Sequence, residues 1–163
     1  YVPQKAVMFS GSVLSNITFG KNRHGKPSKE RVKAAIRVSQ AEEFVSKLDD
    51  KEKAHIAQGG TNVSGGQKQR LSIARTIARD PEIYIFDDSF SALDYKTDST
   101  LRSELKKYTK DATVMIVAQR IGTILNADKI VVLDNGKCVG IGTHKELMDK
   151  HGIYYDLYNV IEK

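Results

Sequence analysis

The chain has 163 residues, 40% of them hydrophobic and 28% charged, a balance that fits one globular core and excludes an intrinsically disordered segment. No run approaches the roughly 18 uncharged apolar residues that span a bilayer and no basic-then-apolar leader opens the chain, so the expectation is a soluble piece. The net charge of +6 suits an anionic ligand or a lipid surface without selecting either, and the single cysteine, Cys138, excludes an intramolecular disulfide and fits a reducing compartment.

The first residue is Tyr1, not methionine, and Tyr1-Val2-Pro3-Gln4 is read as the start of a piece of something longer. Gly20-Lys21-Asn22-Arg23-His24-Gly25-Lys26-Pro27 has the Gly and Lys spacing of a phosphate-binding loop. Pro27, however, stands where a hydroxyl is needed, so a basic turn is the better account. From Ser28 to Leu48 apolar residues recur at helical spacing after Pro27, which predicts a small helical region. Asp49 to Val63 reads as a loop.

A second helix is predicted at Ser64-Gly65-Gly66-Gln67, where Ser64 and Gln67 have capping-box spacing, and it should stop before Pro81. The short apolar runs Ile83 to Phe86, Thr113 to Ala118 and Ile130 to Leu133 alternate with helical segments. They predict an α/β fold whose strands are buried on both faces of a mostly parallel sheet. Asp134-Asn135-Gly136-Lys137 predicts a hairpin to Cys138–Ile141, and Thr143 with Glu146 predicts a further capped helix. A last amphipathic stretch carries Ile153, Tyr154, Leu157, Tyr158 and Ile161, with Tyr154, Tyr155 and Tyr158 read as a packing face.

Two signals carry chemistry. Glycines at a helix start let a ligand approach the backbone while unpaired N–H groups and the helix dipole favour an anion, so Ser64 to Gln67 suits phosphate; an ordinary capped helix is the alternative. Ile83 to Asp88 delivers two carboxylates at the C-terminal end of a strand, where open α/β sheets bind ligands. Acidic residues there hold Mg²⁺ or orient water, or simply end the strand. The four histidines, His24, His55, His144 and His151, have no ligand-like spacing.

Taken together, Val63-Ser64-Gly65-Gly66-Gln67, Arg79-Asp80-Pro81, the strand ending in Asp87-Asp88, and Ser91-Ala92-Leu93-Asp94 strongly resemble the nucleotide-binding domain of ABC transporters. The resemblance runs over essentially the whole chain. It makes Tyr1 to Gln4 the Q-loop, Ser64 to Gln67 the signature, Asp87 the Walker B aspartate, Ser91 to Asp94 the D-loop, and Gln119 the occupant of the switch-histidine position. Phe9-Ser10-Gly11-Ser12, Asn16-Ile17, Phe19-Gly20 and Gly142-Thr143-His144 with Glu146-Leu147 are similar to the exporter members.

The resemblance implies a partial P-loop NTPase core with a small helical subdomain. Residues 1–27 would be the Q-loop and following segment, 28–80 the helical subdomain with the signature helix, and 81–163 the Walker B, D-loop and switch regions with the C-terminal helices. It implies ATP and Mg²⁺ as ligands, with Asp87 and Gln4 toward the metal and Asp88 and Gln119 in catalytic positions. Gln4, Ser64, Gly65, Gly66, Gln67 and Asp94 would lie toward nucleotide. The family's Walker A loop lies upstream of the Q-loop, so this piece by itself is expected to bind nucleotide poorly and to be inactive. The missing strand would leave a gap between Thr113–Ala118 and Ile130–Leu133, which the chain closes directly or covers by self-association.

Two departures stand out. Asp88 replaces the usual catalytic glutamate, withdrawing the carboxylate by about 1.5 Å, and Gln119 can donate a hydrogen bond but cannot become a cation. With the intact signature, these resemble one half of a heterodimeric multidrug-type exporter. Its own ATP site would be degenerate, while Ser64 and Gly66 would complete the partner's. The implied partners are transmembrane domains and a second ABC subunit at the cytoplasmic face of a membrane, with no nucleic acid. The alternatives are a nucleic-acid-associated ATPase of the same superfamily, against which the exporter-like segments stand, and a non-catalytic regulatory subunit that only senses ATP.

Overall fold

The computed structural model describes residues 1–20 and 25–161, in two compact units, Tyr1–Val117 and Ala118–Lys163. The Gly20–Pro27 turn and His24 therefore fall partly or wholly outside the described residues. Among the described residues no helix is long and apolar enough to cross a membrane.

In the first unit, β1 (Gly11–Ser12) pairs antiparallel with β2 (His55–Ile56), and α1 (Val13–Ile17) follows β1 directly. Ser12 and Ser15 cap α1 reciprocally, a box with serine in place of Glu or Gln. The predicted 28–48 helical region is two helices, α2 (Lys29–Val38) and α3 (Glu42–Val45). Gln40 separates them with a left-handed φ of 57°. The predicted 49–63 loop holds β2 and two short 3-10 turns, Lys51–Lys53 and Gln58–Gly60.

Helix α4 (Gly65–Arg79) starts at the predicted capping box and ends at Asp80, whose φ of 50° and ψ of 59° break the helical hydrogen bonding just before Pro81. Its Leu71, Ile73, Ala74, Ile77 and Ala78 are fully buried at the centre of the unit's core. Both α1 and α2 pack on it, and α5 (Tyr95–Tyr108) packs on α2.

Strands β3 (Ile83–Asp87) and β4 (Thr113–Val117) pair in parallel from Ile83 with Thr113 to Asp87 with Val117. On the opposite edge of β3, Val2 forms a parallel bridge to Phe86. Its N–H donates to the Ile85 carbonyl at 2.8 Å, and its carbonyl accepts from the Asp87 N–H at 2.9 Å. This bridge brings the first four residues to the C-terminal end of β3.

The expectation of strands buried on both faces is corrected for β4 and for the Ile130 to Leu133 run, where Val131 and Leu133 are exposed. Val114 and Ile116 pack on the core while Thr113, Met115 and Val117 on the other face are exposed. An apolar run is blind to this difference, because burial depends on whether a second layer covers the sheet.

In the second unit, β5 (Ile130–Asp134) and β6 (Lys137–Gly142) form the predicted hairpin. Asn135 and Gly136 take φ values of 47° and 75°, as the tight turn requires. Among the described residues the β5–β6 and β3–β4 pairs are separate two-stranded sheets. Thr143 and Glu146 cap α6 (His144–Asp149), and α7 (Ile153–Ile161) follows. Ile121, Ile130, Val132, Leu147 and Tyr154 make this unit's own small core, with Tyr158 packed against it.

Candidate functional site

Parallel pairing on both sides of β3 fixes where its terminal carboxylates stand. Asp87 is the last strand residue. Asp88 follows with φ of 45°, a left-handed conformation that aspartate tolerates better than most residues, and its N–H donates to the Val117 carbonyl at 2.9 Å. The buried Ser89 hydroxyl ties this corner to the N-terminal segment by donating to the Val2 carbonyl at 2.8 Å.

The N-terminal segment in turn holds both carboxylates. Gln4 Nε2 donates to Asp88 Oδ2 at 3.0 Å, and the Tyr1 hydroxyl donates to Asp87 Oδ2 at 2.8 Å. The predicted metal and catalytic residues Gln4, Asp87 and Asp88 are thus gathered. Tyr1, which the resemblance places in the Q-loop without a role of its own, joins them through its phenol. Its hydrogen bond to Asp87 holds the phenol pKa above its ordinary value, because losing that proton would set two anions together.

At the start of α4, the Ser64 side chain accepts from the Gln67 N–H at 3.3 Å, and the Ser64 N–H donates to Gln67 Oε1 at 2.9 Å. Ser64 and Gln67 therefore satisfy each other. The two glycines differ. A Cβ on Gly65 would have no heavy atom within 4 Å, whereas one on Gly66 would stand 3.2 Å from the Ala92 carbonyl oxygen and 3.8 Å from Leu93 Cδ2. Gly66 is the place where the Ser91–Asp94 turn packs against the helix start. Asp94 caps α5, its Oδ1 accepting from the Thr97 N–H at 2.9 Å. The hydrogen bonds from Thr97 hold the Asp94 carboxyl below its ordinary range.

Gln119 is exposed at a bend two residues beyond β4 and belongs to the second unit. Among the described residues no hydrogen bond joins Ser64–Gln67 to the Asp87–Asp88 pair, so the gathered acidic end and the α4 start are two separate features of the first unit.

The donor set fits magnesium. Asp87, Asp88 and Gln4 offer carboxylate and amide oxygens, and Mg²⁺ takes one or two carboxylates while the rest of its shell is water and phosphate oxygen. Among the described residues no group of three or more His, Cys, Asp or Glu side chains gathers as a metal cage. The open space above Gly65 suits a phosphate approaching backbone amides.

The profile described as ABC transporter matches residues 1–91. An uncharacterized ABC transporter ATP-binding protein of Mycobacterium bovis (strain ATCC BAA-935 / AF2122/97) is 45% identical over 147 residues, covering 90% of this chain and 25% of that protein. The ATP-dependent lipid A-core flippase of Francisella tularensis subsp. tularensis (strain FSC 198) is 40% identical over 157 residues, 96% of this chain and 26% of that protein. A solved structure of a bacterial Atm1-family ABC exporter with ATP bound superposes with a TM-score of 0.92 at 31% identity, over 99% of this chain and 28% of that one. The chain spans about a quarter of the length of these curated relatives.

Proposed function

The chain belongs to the ABC transporter family, and from that premise we propose that it is the ATP-binding portion of an exporter subunit at the cytoplasmic face of a membrane. ATP binding and hydrolysis there drive transport. The observation that carries this reading is the gathering of Gln4, Asp87 and Asp88 at the C-terminal end of a parallel strand. Transmembrane domains of the same transporter and a second ABC subunit are the partners in this reading.

Within it, Asp87 and the Gln4 amide oxygen would hold Mg²⁺. The ion supplies charge neutralisation for the phosphate oxygens. Asp88 orients a water poorly, being one methylene short of the usual glutamate and already engaged by Gln4 at 3.0 Å. Gln119 donates an amide hydrogen bond where a titratable imidazole would otherwise stand. The chain's own site is therefore a slow, ATP-retaining one.

The start of α4 serves a different site in this proposal. Ser64, Gly65 and Gly66 face the terminal phosphate of nucleotide held by the partner subunit, where N–H groups at a helix N-terminus stabilise anionic oxygens. Gln67 keeps the helix capped and Asp94 fixes the start of α5, so both position backbone for the nucleotide. The 163-residue chain on its own is expected to turn over no ATP, and its exposed Met115 and Val117 favour self-association.

The test is ATP turnover in the full heterodimer after Asp88→Glu, and separately after replacement of the partner's catalytic glutamate by glutamine. The proposal expects turnover to collapse with the partner's glutamate and to rise with Asp88→Glu. Equal contributions from the two native sites would contradict it.

A further inference from the structure

Arg75 is a half-buried cation on α4 whose partners all lie in the stretch following Gln4. Its Nε donates to the Asn16 carbonyl at 2.7 Å, Nη1 to the Val7 carbonyl at 3.0 Å and Nη2 to Asn16 Oδ1 at 3.1 Å. The guanidinium also lies 5.3 Å from the Phe9 ring centre and 5.9 Å from that of Phe19, and those two rings stack at 4.0 Å. Asn16, 1% exposed, closes the same loop on itself, accepting from the Phe9 N–H at 2.9 Å and donating to the Phe9 carbonyl at 2.8 Å.

The grip extends along the helix in both directions. One turn on, Arg79 Nη2 donates to the Phe19 carbonyl at 2.5 Å, and a Cβ at Gly20, whose φ is 93°, would run into that guanidinium. Toward the helix start, Gln69, 2% exposed, donates to the Pro3 carbonyl at 3.2 Å. A single helix thus holds the first twenty residues at Pro3, Val7, Asn16 and Phe19.

Burying a cation costs free energy unless its donors are matched. Here three oxygen acceptors and two ring faces offset that cost. Burial, with the Arg79 charge adding, pushes the Arg75 pKa down to about 10, so the group is still a cation at neutral pH. A planar fork can serve the Val7 and Asn16 oxygens at once, while a lysine ammonium is a point charge on a flexible stem.

We propose that Arg75 is a positioning residue that fastens the segment after Gln4 to the helix behind Ser64, so that Gln4 and Ser64 keep a fixed separation and move as one body. If the proposed function holds, these two residues serve different nucleotide sites, and the clamp makes an event at one felt at the other. The clamp itself rests only on the geometry above.

The test uses the full-length protein in a cysteine-free background, with nitroxide labels on Lys5 and Thr61, both exposed. The label-to-label distance distribution is read alongside thermal unfolding and ATP turnover. Native protein should give one narrow distribution that ATP leaves unchanged. Arg75→Lys should give an about twofold broader distribution, because the fork is lost while the charge is kept. Turnover should fall on the order of 10-fold at unchanged ATP binding.

If Arg75 served stability alone, the folded molecules of Arg75→Lys would keep the native separation, and that result overturns the proposal. Should Arg75→Lys fail to fold, Phe19→Leu decides, since Phe19 is 47% exposed and its loss removes one ring face without touching a backbone acceptor. A native-width distribution in Phe19→Leu then overturns the clamp, and a broadened one supports it. Absence of ATP turnover in the native protein would defeat the proposed function and leave the distance result standing.

Discussion

Gln4 and Asp88, 84 positions apart in sequence, are joined by a hydrogen bond of 3.0 Å from the Gln4 amide to the Asp88 carboxylate. In the proposed function this carboxylate orients water, and it is a short one, seated on a left-handed backbone and already accepting from Gln4. Asp88→Glu returns the missing methylene. In the full assembly, hydrolysis at this site is expected to rise on the order of 10-fold, since misplacement of about 1 Å costs up to about 100-fold and Gln119 still cannot become a cation. Single-turnover ATP hydrolysis with the partner's site disabled is the measurement; an unchanged rate removes the shortened carboxylate as the cause.

Gly65 and Gly66 give a paired prediction. In Gly66→Ala, a helix-propensity gain of up to about 1 kcal/mol offsets an overpacking cost of about 1 kcal/mol against the Ala92 carbonyl, 3.2 Å from the new Cβ. The melting temperature should therefore move little, while turnover falls about tenfold because the helix start and the Ser91–Asp94 turn shift apart.

Gly65→Ala meets nothing within 4 Å, so any loss of turnover at an unchanged melting temperature reports a ligand using the space above that residue. Full turnover in Gly65→Ala would take the α4 start out of the phosphate contacts.

Ser64→Ala removes the side-chain acceptor of the Gln67 N–H. Loss of such a cap costs about 1 kcal/mol, which chemical denaturation of the variant should show whether or not nucleotide is present. Ser64→Thr retains the acceptor and should recover most of that stability.

Acid should weaken two helix starts. Asp94 and Glu146 both have carboxyl pKa values below their ordinary range, Asp94 through its hydrogen bonds with Thr97 and Glu146 through those with Thr143. A depressed folded-state pKa means that each contribution is fully present above the unfolded carboxylate pKa and is lost as pH falls through the folded one. Stability should therefore decline below about pH 4. Glu146→Gln keeps the capping-box partner without a titrating group, so its denaturation midpoint should fall less steeply with acid than that of the native chain. Parallel curves would remove Glu146 from the acid response.

Local features were legible because their chemistry is complete within a few residues. The Ser64–Gln67 and Thr143–Glu146 boxes, the Asn135-Gly136 turn and the stop before Pro81 all form where the sequence placed them. The helix break at Gln40 and the Ser12–Ser15 cap were not read, since a left-handed glutamine and a serine-for-glutamate box carry weak local signals. The acidic pair at the end of β3 was legible as a candidate site, and Gln4 entered through family resemblance. The roles of Tyr1 and Arg75 were invisible, because their partners are the carboxylate of Asp87 and the carbonyls of Val7 and Asn16.

The amino-acid order by itself determined where helices begin, where the hairpin turns and which strand ends in two carboxylates, because caps, turns and apolar runs act over a handful of neighbouring positions. Only the tertiary structure decided that Val2 bridges to Phe86, and with it that Tyr1 and Gln4 stand over Asp87 and Asp88. The same holds for the exposed face of β4 and for the grip of α4 on the N-terminal segment. Contacts between distant residues form only when ladder pairing and core packing repay the entropy of closing the chain between them, a balance that no short window of sequence contains.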